Sequence, residues 1–259
     1  MKYQSTDLKY FSEAMKVHNK LTIIMPTHFI PSAPSTEIIE QAIKSLSTLP
    51  DLEGCKLHIN YDMPEEQSED HKKYYHNLVN IEAPNKIVTF IPGAQQRTSF
   101  MFLLRAVSTP YVMLIEHDWV FIEKPPIAKV IKAMDNHPNI NAVYFNKRSN
   151  VRCNNEPYLI PDTTIQEVPL LKTSKWSNNP SITRISKWCG WLDMLDSAPI
   201  DRSRARKQIE PCLHGAYQLQ VEKEGFEVAH KDWGCYSYGR LGKNKMIKHL
   251  NGSKHLNKE

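Results

Sequence analysis

The sequence predicts an α/β fold in which a mainly parallel sheet is flanked by helices, with a less regular C-terminal half. Three observations predict it. Short β-rich apolar runs alternate with segments of helical periodicity as far as about residue 146. The run Tyr111–Ile115, bounded by Pro110, is apolar throughout, as a strand covered on both faces must be. Several runs also change abruptly into polar residues at their carboxyl ends, the edge where open α/β sheets build ligand sites.

Residues 1–19 read as a polar lead-in with a short amphipathic helix over Leu8–Val17. Leu21–Met25 is the first strand, broken by Pro26-Thr27-His28. Beyond Pro31 and Pro34, Ser35 can cap a helix whose Ile38, Ile39, Ala42, Ile43 and Leu46 keep helical spacing until Pro50 stops it. Lys56–Asn60 is the second strand, running into Tyr61-Asp62-Met63-Pro64, and Glu65–Asn77 is a charged surface helix or loop. Lys86–Ile91, closed by Pro92-Gly93, is the third strand. Ala94–Val107 follows as a helix, with Gln95, Gln96 and Arg97 in its first turn, where backbone donors point outward. Tyr111–Ile115 is the fourth strand, Ile127–Met134 a helix prepared by Pro125-Pro126, and Asn139–Phe145 the next strand.

After Asn146 the pattern loosens. Lys147–Asn179 is polar and irregular apart from Val168–Leu171, and Ser181–Trp191 forms a strand or a helix. Cys212–Lys223 is helical, Glu227–Ala229 a short strand, and Trp233–Gly242 a loop or hairpin. The expected organisation is one domain over residues 1–259: an ordered half at about 20–146, a looser half at 147–239 and a basic tail at 240–259.

Composition narrows the class. The 259 residues suffice for one large α/β domain, and 41% hydrophobic with 24% charged residues is ordinary for a globular protein. No stretch approaches the ~18 apolar residues of a membrane span, and the N-terminus lacks the apolar core of a signal peptide. Five scattered cysteines without a Cys-x-x-Cys pair argue against a disulfide framework or a zinc cluster, so a reduced, cytoplasmic enzyme is expected. The net charge of +5 is uneven: Arg240 to Glu259 holds six Lys or Arg and a single acid. Such a tail is either solvated or suited to an anionic ligand such as phosphate. It lacks the Arg-aromatic interleaving of a nucleic-acid binder, so no nucleic-acid partner is expected. Contact with a membrane surface stays compatible with it.

Four strand ends deliver polar groups to one edge: Thr27-His28, Asp62, Gln95–Arg97 and Glu116–Asp118. Glu116 and Asp118 are two residues apart, so in an extended segment both carboxylates face one side and His117 faces away. Oxygen ligands of that kind suit Mg²⁺ or Mn²⁺, and a cation held there can neutralise a diphosphate.

This acid-x-acid pair after a buried fourth strand resembles the Asp-x-Asp signature of GT-A-type, nucleotide-sugar-dependent glycosyltransferases, with Glu in the first place. The resemblance covers residues 21–145 well and the remainder by scattered signals. It implies a metal-dependent transfer of sugar from a nucleoside diphosphate sugar donor to a hydroxyl on a glycan or other acceptor, with inversion. It also assigns roles: Glu116, Asp118 and His249 to the metal, and Pro26, Thr27, His28, Asp62, Gln96 and Arg97 to the nucleotide sugar. His249-Leu250-Asn251-Gly252-Ser253-Lys254 is similar to a C-terminal His-x-x-Gly-x-x-Lys segment of such enzymes, one residue shorter before Lys254. Lys254 is the diphosphate contact it suggests, and Arg240, Lys243 and Lys245, after Tyr236-Ser237-Tyr238-Gly239, are the alternative phosphate contacts. Glu210, before Pro211 at a helix start, is the general base it implies; the alternative is an acid that complements the helix dipole, with Asp193, Asp196 and Asp201 as rivals for the base. Trp119 and Trp233 are the aromatic faces expected against an acceptor. Two other functions fit the same sheet. A sugar-nucleotide nucleotidyltransferase would be expected to carry a glycine-rich loop where Pro26–Pro31 has none, and a non-catalytic sugar- or nucleic-acid-binding protein would have less use for paired acids.

Overall fold

Alternate residues of two strands show how the layers form. In β1 (Leu21–His28) Ile23 and Met25 pack into one core and Ile24 into another; in β4 (Tyr111–Leu114) Met113 faces the first and Val112 and Leu114 the second. The two-residue period sends neighbours to opposite faces, and because both faces are apolar, helices must cover both. One face carries α1 (Glu37–Ser47), α2 (Glu69–Asn80) and α4 (Ile127–Asn136). The other carries α3 (Gln96–Arg105), α5 (Ile185–Ser197), α6 (Ile209–Glu224) and α7 (Phe226–Trp233). The computed structural model describes residues 17–30, 32–93, 96–153, 156–197, 209–243 and 245–250. The expected helix over Leu8–Val17 lies outside them but for Val17, as do Ala94, Gln95, Asp201 and Lys254.

β2 (Lys56–Met63), β3 (Lys86–Pro92), β6 (Ala142–Tyr144), β7 (Leu159–Pro161), β8 (Leu170–Thr173), β9 (Ser181–Arg184) and β10 (Cys235–Tyr238) complete a nine-stranded sheet in the order β3-β2-β1-β4-β9-β6-β10-β8-β7. Among these strands only β8 and β9 run against the rest. The fold is therefore α/β with a mainly parallel sheet flanked by helices, and strands from the looser half extend the same sheet. β5 (Trp119–Phe121) and β11 (Ile247–His249) form a separate antiparallel ribbon.

Burial rather than capping holds the helices. α1 buries Ile38, Ile39, Ile43 and Leu46, worth about 1.5–3 kcal/mol each. Its N-cap is Thr36, which makes no capping bond; Ser35, the expected cap, accepts only from the Glu37 N–H at 3.3 Å. α2 is the exception: the His71 N–H donates to Ser68 Oγ at 3.3 Å and the Ser68 N–H to His71 Nδ1 at 2.9 Å, a reciprocal cap with histidine in the place usually held by Glu or Gln.

Four expectations are corrected. β1 does not break at Pro26 but continues to His28. Its ladder with β4 ends at Ile24–Leu114, so proline's missing donor falls where the strand has a neighbour on one side only. β2 likewise runs on through Asp62. Glu227–Ala229 is not a strand but part of α7: Phe226, Ala229, His230 and Trp233 bury one helical face, a period that a three-residue window cannot reveal. Part of the basic tail is β11, neither loop nor solvated arm.

Candidate functional site

The parallel strands aim their carboxyl ends at one edge, and register does the rest. His28 of β1 is the direct partner of Asp62 in β2, and Glu116 follows β4 on the other side of β1. The crevice between β1 and β4, where chain connections diverge to either side, is where such sheets hold ligands. Here a cleft of about 310 Å³ is lined by Pro26, Thr27, His28, Asp62, Gln96, Ser99, Glu116, His117 and Asp118.

Glu116–Trp119 is a turn, closed by the Trp119 N–H on the Glu116 carbonyl at 3.2 Å, and not the extended segment that would turn His117 away. All three residues consequently line the cleft. His117 is buried, its ring edge-on to His28 at 4.8 Å and bonded to the Pro26 carbonyl. Burial holds its pKa well below the ordinary histidine value.

Glu116 accepts from Gln96 Nε2 at 2.8 Å and from the Trp119 side chain. Even so, its pKa is pushed up to about 7, first by burial, then by the charges of Asp118 and Glu210. Burial also lifts Asp62, to about 6, and lowers His28. Asp118 is clamped from the far end of the chain: His249 Nε2 lies 2.9 Å from its Oδ2, and the Leu250 N–H donates to its carbonyl at 2.8 Å. The β5–β11 ribbon, with His249 opposite Trp119, places that imidazole. Glu210 sits in the first turn of α6 and accepts from Ser177 Oγ at 2.7 Å. Its charge reaches Glu116, Lys147 and His214, so the base candidate and the acids share one field.

Other expected site residues fall elsewhere. Arg97 does not line the cleft; its charge acts on Cys212 of α6. Arg240 lines a separate hollow beside Pro161 and Asp162, and Lys243 is exposed on the same turn. Lys254 lies outside the described residues. Trp233 is not an acceptor platform: Tyr217 and Trp191 stack on it at 4.7 and 5.7 Å, and its N–H is bonded to Gln220. An aromatic enclosed on its faces belongs to the core. Trp119 is also buried, at 5% exposure, with Lys147 over its ring and its side chain bonded to Glu116, so it supports the acid rather than facing outward.

The sequence reading missed Lys147, Lys175, Ser177 and His214. For Lys147 a signal existed: Asn146-Lys147-Arg148 occupies the carboxyl end of β6, the same position that singled out the other four strand ends.

Among the described residues no three His, Cys, Asp or Glu are arranged as a ready metal cage. The donor chemistry nevertheless suits a hard cation, since a carboxylate lifted to about 7 by burial and then by a neighbouring carboxylate is one that positive charge would stabilise.

No protein-family model and no curated protein sequence matches the chain. Solved structures do resemble it. A mannosyltransferase, PcManGT from Pyrobaculum calidifontis, solved with GDP-Man and Mn²⁺, is 14% identical with a TM-score of 0.44, covering 75% of this chain and 55% of its own. S. aureus TarS 1–349 is 15% identical with a TM-score of 0.47, over 88% of this chain and 59% of its own. Mouse xyloside xylosyltransferase 1 is 13% identical with a TM-score of 0.45, over 90% and 98%. The chain thus spans little more than half the length of the first and of the TarS fragment. Among the described residues no helix is long and apolar enough to cross a membrane.

Proposed function

We propose that the protein is a metal-dependent glycosyltransferase, transferring a sugar from a nucleoside diphosphate donor to a hydroxyl acceptor with inversion. One observation carries this reading. The acids at the end of β4 share a cleft with Thr27 and Asp62 from β1 and β2, and Glu210 stands close enough on α6 to raise the pKa of Glu116.

In this reading Asp62 and Thr27 bind the nucleoside and Gln96 orients Glu116. Glu116, Asp118 and His249 would hold Mn²⁺ or Mg²⁺, which supplies neutralisation of the donor diphosphate when bound. Glu210 takes the proton of the acceptor hydroxyl as its oxygen attacks the anomeric carbon and the bond to the nucleoside diphosphate breaks. Ser177 fixes that carboxylate through the oxygen that is not needed for the proton.

The test is a thermal-shift screen of nucleoside diphosphate sugars with Mn²⁺, since a ligand at ~100 times its dissociation constant stabilises by about 2.7 kcal/mol. Glu210→Gln should then bind the hit unchanged and lose transfer. Retained transfer would move the base elsewhere, and synthesis of a nucleotide sugar from nucleoside triphosphate and sugar phosphate would replace the reading with a nucleotidyltransferase.

A further inference from the structure

Next to Glu210 lies a second cavity, of about 530 Å³, between the loop after β6, the loop after β8 and the first turns of α6. Its wall carries Lys147, Arg148, Lys175 and His214. Both basic loops are pinned. Asn146 and Asn150 are buried at either end of Lys147-Arg148-Ser149: the Met246 N–H donates to the Asn146 carbonyl at 2.8 Å, and Asn150 bonds Ser237 and the Tyr238 carbonyl at 3.1 and 2.9 Å. Lys175 sits on a loop tied to α6 through the Trp176 N–H on His214 at 3.4 Å and through Ser177 on Glu210. Cations on loops fixed in this way are organised before a ligand arrives.

The acids that face them are already engaged. Glu156 accepts from Thr173 Oγ1 at 3.0 Å, and Glu210 from Ser177. Lys147 is lowered by burial and then by the charges of Lys175 and Arg148, and His214 by burial and then by Lys175, with Glu210 offsetting only part of this at each. Holding like charges together costs stability unless an anion relieves them.

We propose that this cavity is the acceptor subsite and takes an anionic acceptor, one whose phosphate or carboxylate is held by Lys147, Arg148 and Lys175 beside Glu210. The assignment to an acceptor rests on the transferase reading; the anion site itself does not.

The experiment titrates the protein, without metal or nucleotide, with three probes of one skeleton: glycerol 3-phosphate, glycerate and glycerol. Binding of either anion but not of glycerol is expected, and which anion binds tighter identifies the acidic group. Arg148→Ala with Lys175→Ala should weaken it about tenfold, with near-UV circular dichroism checking the fold. Equal affinity for glycerol, or an anion affinity untouched by the double variant, overturns the site. The anion should also bind alongside a nucleoside diphosphate with Mn²⁺; mutual displacement would hand these cations to the donor and overturn the acceptor assignment. If no nucleoside diphosphate binds at all, the transferase reading fails while the metal-free titration still decides the anion site.

Discussion

Glu116→Gln tests whether the cleft is built for a cation at the expense of the fold. The native carboxyl is lifted from its ordinary 4.5 to about 7. An acid raised on folding binds more protons in the native state, so stability is full below the unfolded value and is lost as pH rises from there to the folded value. A gap of about 2.5 units at roughly 1.36 kcal/mol each makes the ionised carboxylate at pH 8 cost about 3 kcal/mol. Glutamine keeps an acceptor for Gln96 Nε2 and removes the charge. The variant should therefore be more stable than the parent at pH 8 by about that amount, near 6–12 °C in Tm for a chain of this size, and equal to it at pH 4. Urea unfolding at both pH values measures this. Mn²⁺ should then raise the parent's Tm and leave the variant's unmoved. A variant no more stable at pH 8, or equally stabilised at pH 4, would refute the reasoning.

Further expectations concern the packing and the chain end. Trp233→Ala empties the stack between Tyr217 and Trp191 and should cost about 3–5 kcal/mol by urea unfolding; a cost under 1 kcal/mol would return the ring to the surface. Gly234→Ala puts a methyl 2.1 Å from the Asn139 carbonyl oxygen at a φ of +56°, so it should lose well over 1 kcal/mol, read in the same assay against Gly215→Ala, which meets nothing. His230 is buried and neutral, its pKa lowered by burial against Glu227 and Asp162. Stability should fall as pH drops below about 6.5, and His230→Gln should flatten that slope by up to about 1.4 kcal/mol per pH unit; parallel slopes would exclude the residue. Ending the chain at Lys245 should remove the His249 contact and raise the Mn²⁺ dissociation constant at least several-fold, and an unchanged constant would take His249 out of the site.

The first half of the fold was legible because its central strands are apolar and buried on both faces, as at Tyr111–Ile115, and because the partly exposed edge strand Lys86–Pro92 is still β-rich and closed by Pro92-Gly93. The meeting of His28, Asp62 and Glu116 was legible for the same reason, since parallel strands must share an edge. What was not legible depends on chirality and distance. Turning Glu116–Trp119 rather than extending it reverses where His117 points, and nothing in four polar or aromatic residues announces that. Trp119 and Trp233 look alike in sequence and separate only when Tyr217 and Trp191 close over one and Lys147 over the other. The basic pair after β6 was overlooked because the chain beyond it loses periodicity.

The ribbon of β5 and β11 gives the molecule an order of assembly. Residues 116–121 can fold against β1 early, but their antiparallel partner lies more than a hundred residues downstream. Closing so long a loop is entropically unfavourable until the intervening sheet has brought its ends together. During synthesis the acids would wait in a half-built cleft until β11 has emerged. Chains that do not yet reach β11 would then be folded in their first half yet unable to clamp Asp118. Pulse-labelled amide exchange should find Trp119–Phe121 protected after Tyr111–Leu114, and simultaneous protection would show that the ribbon forms with the sheet.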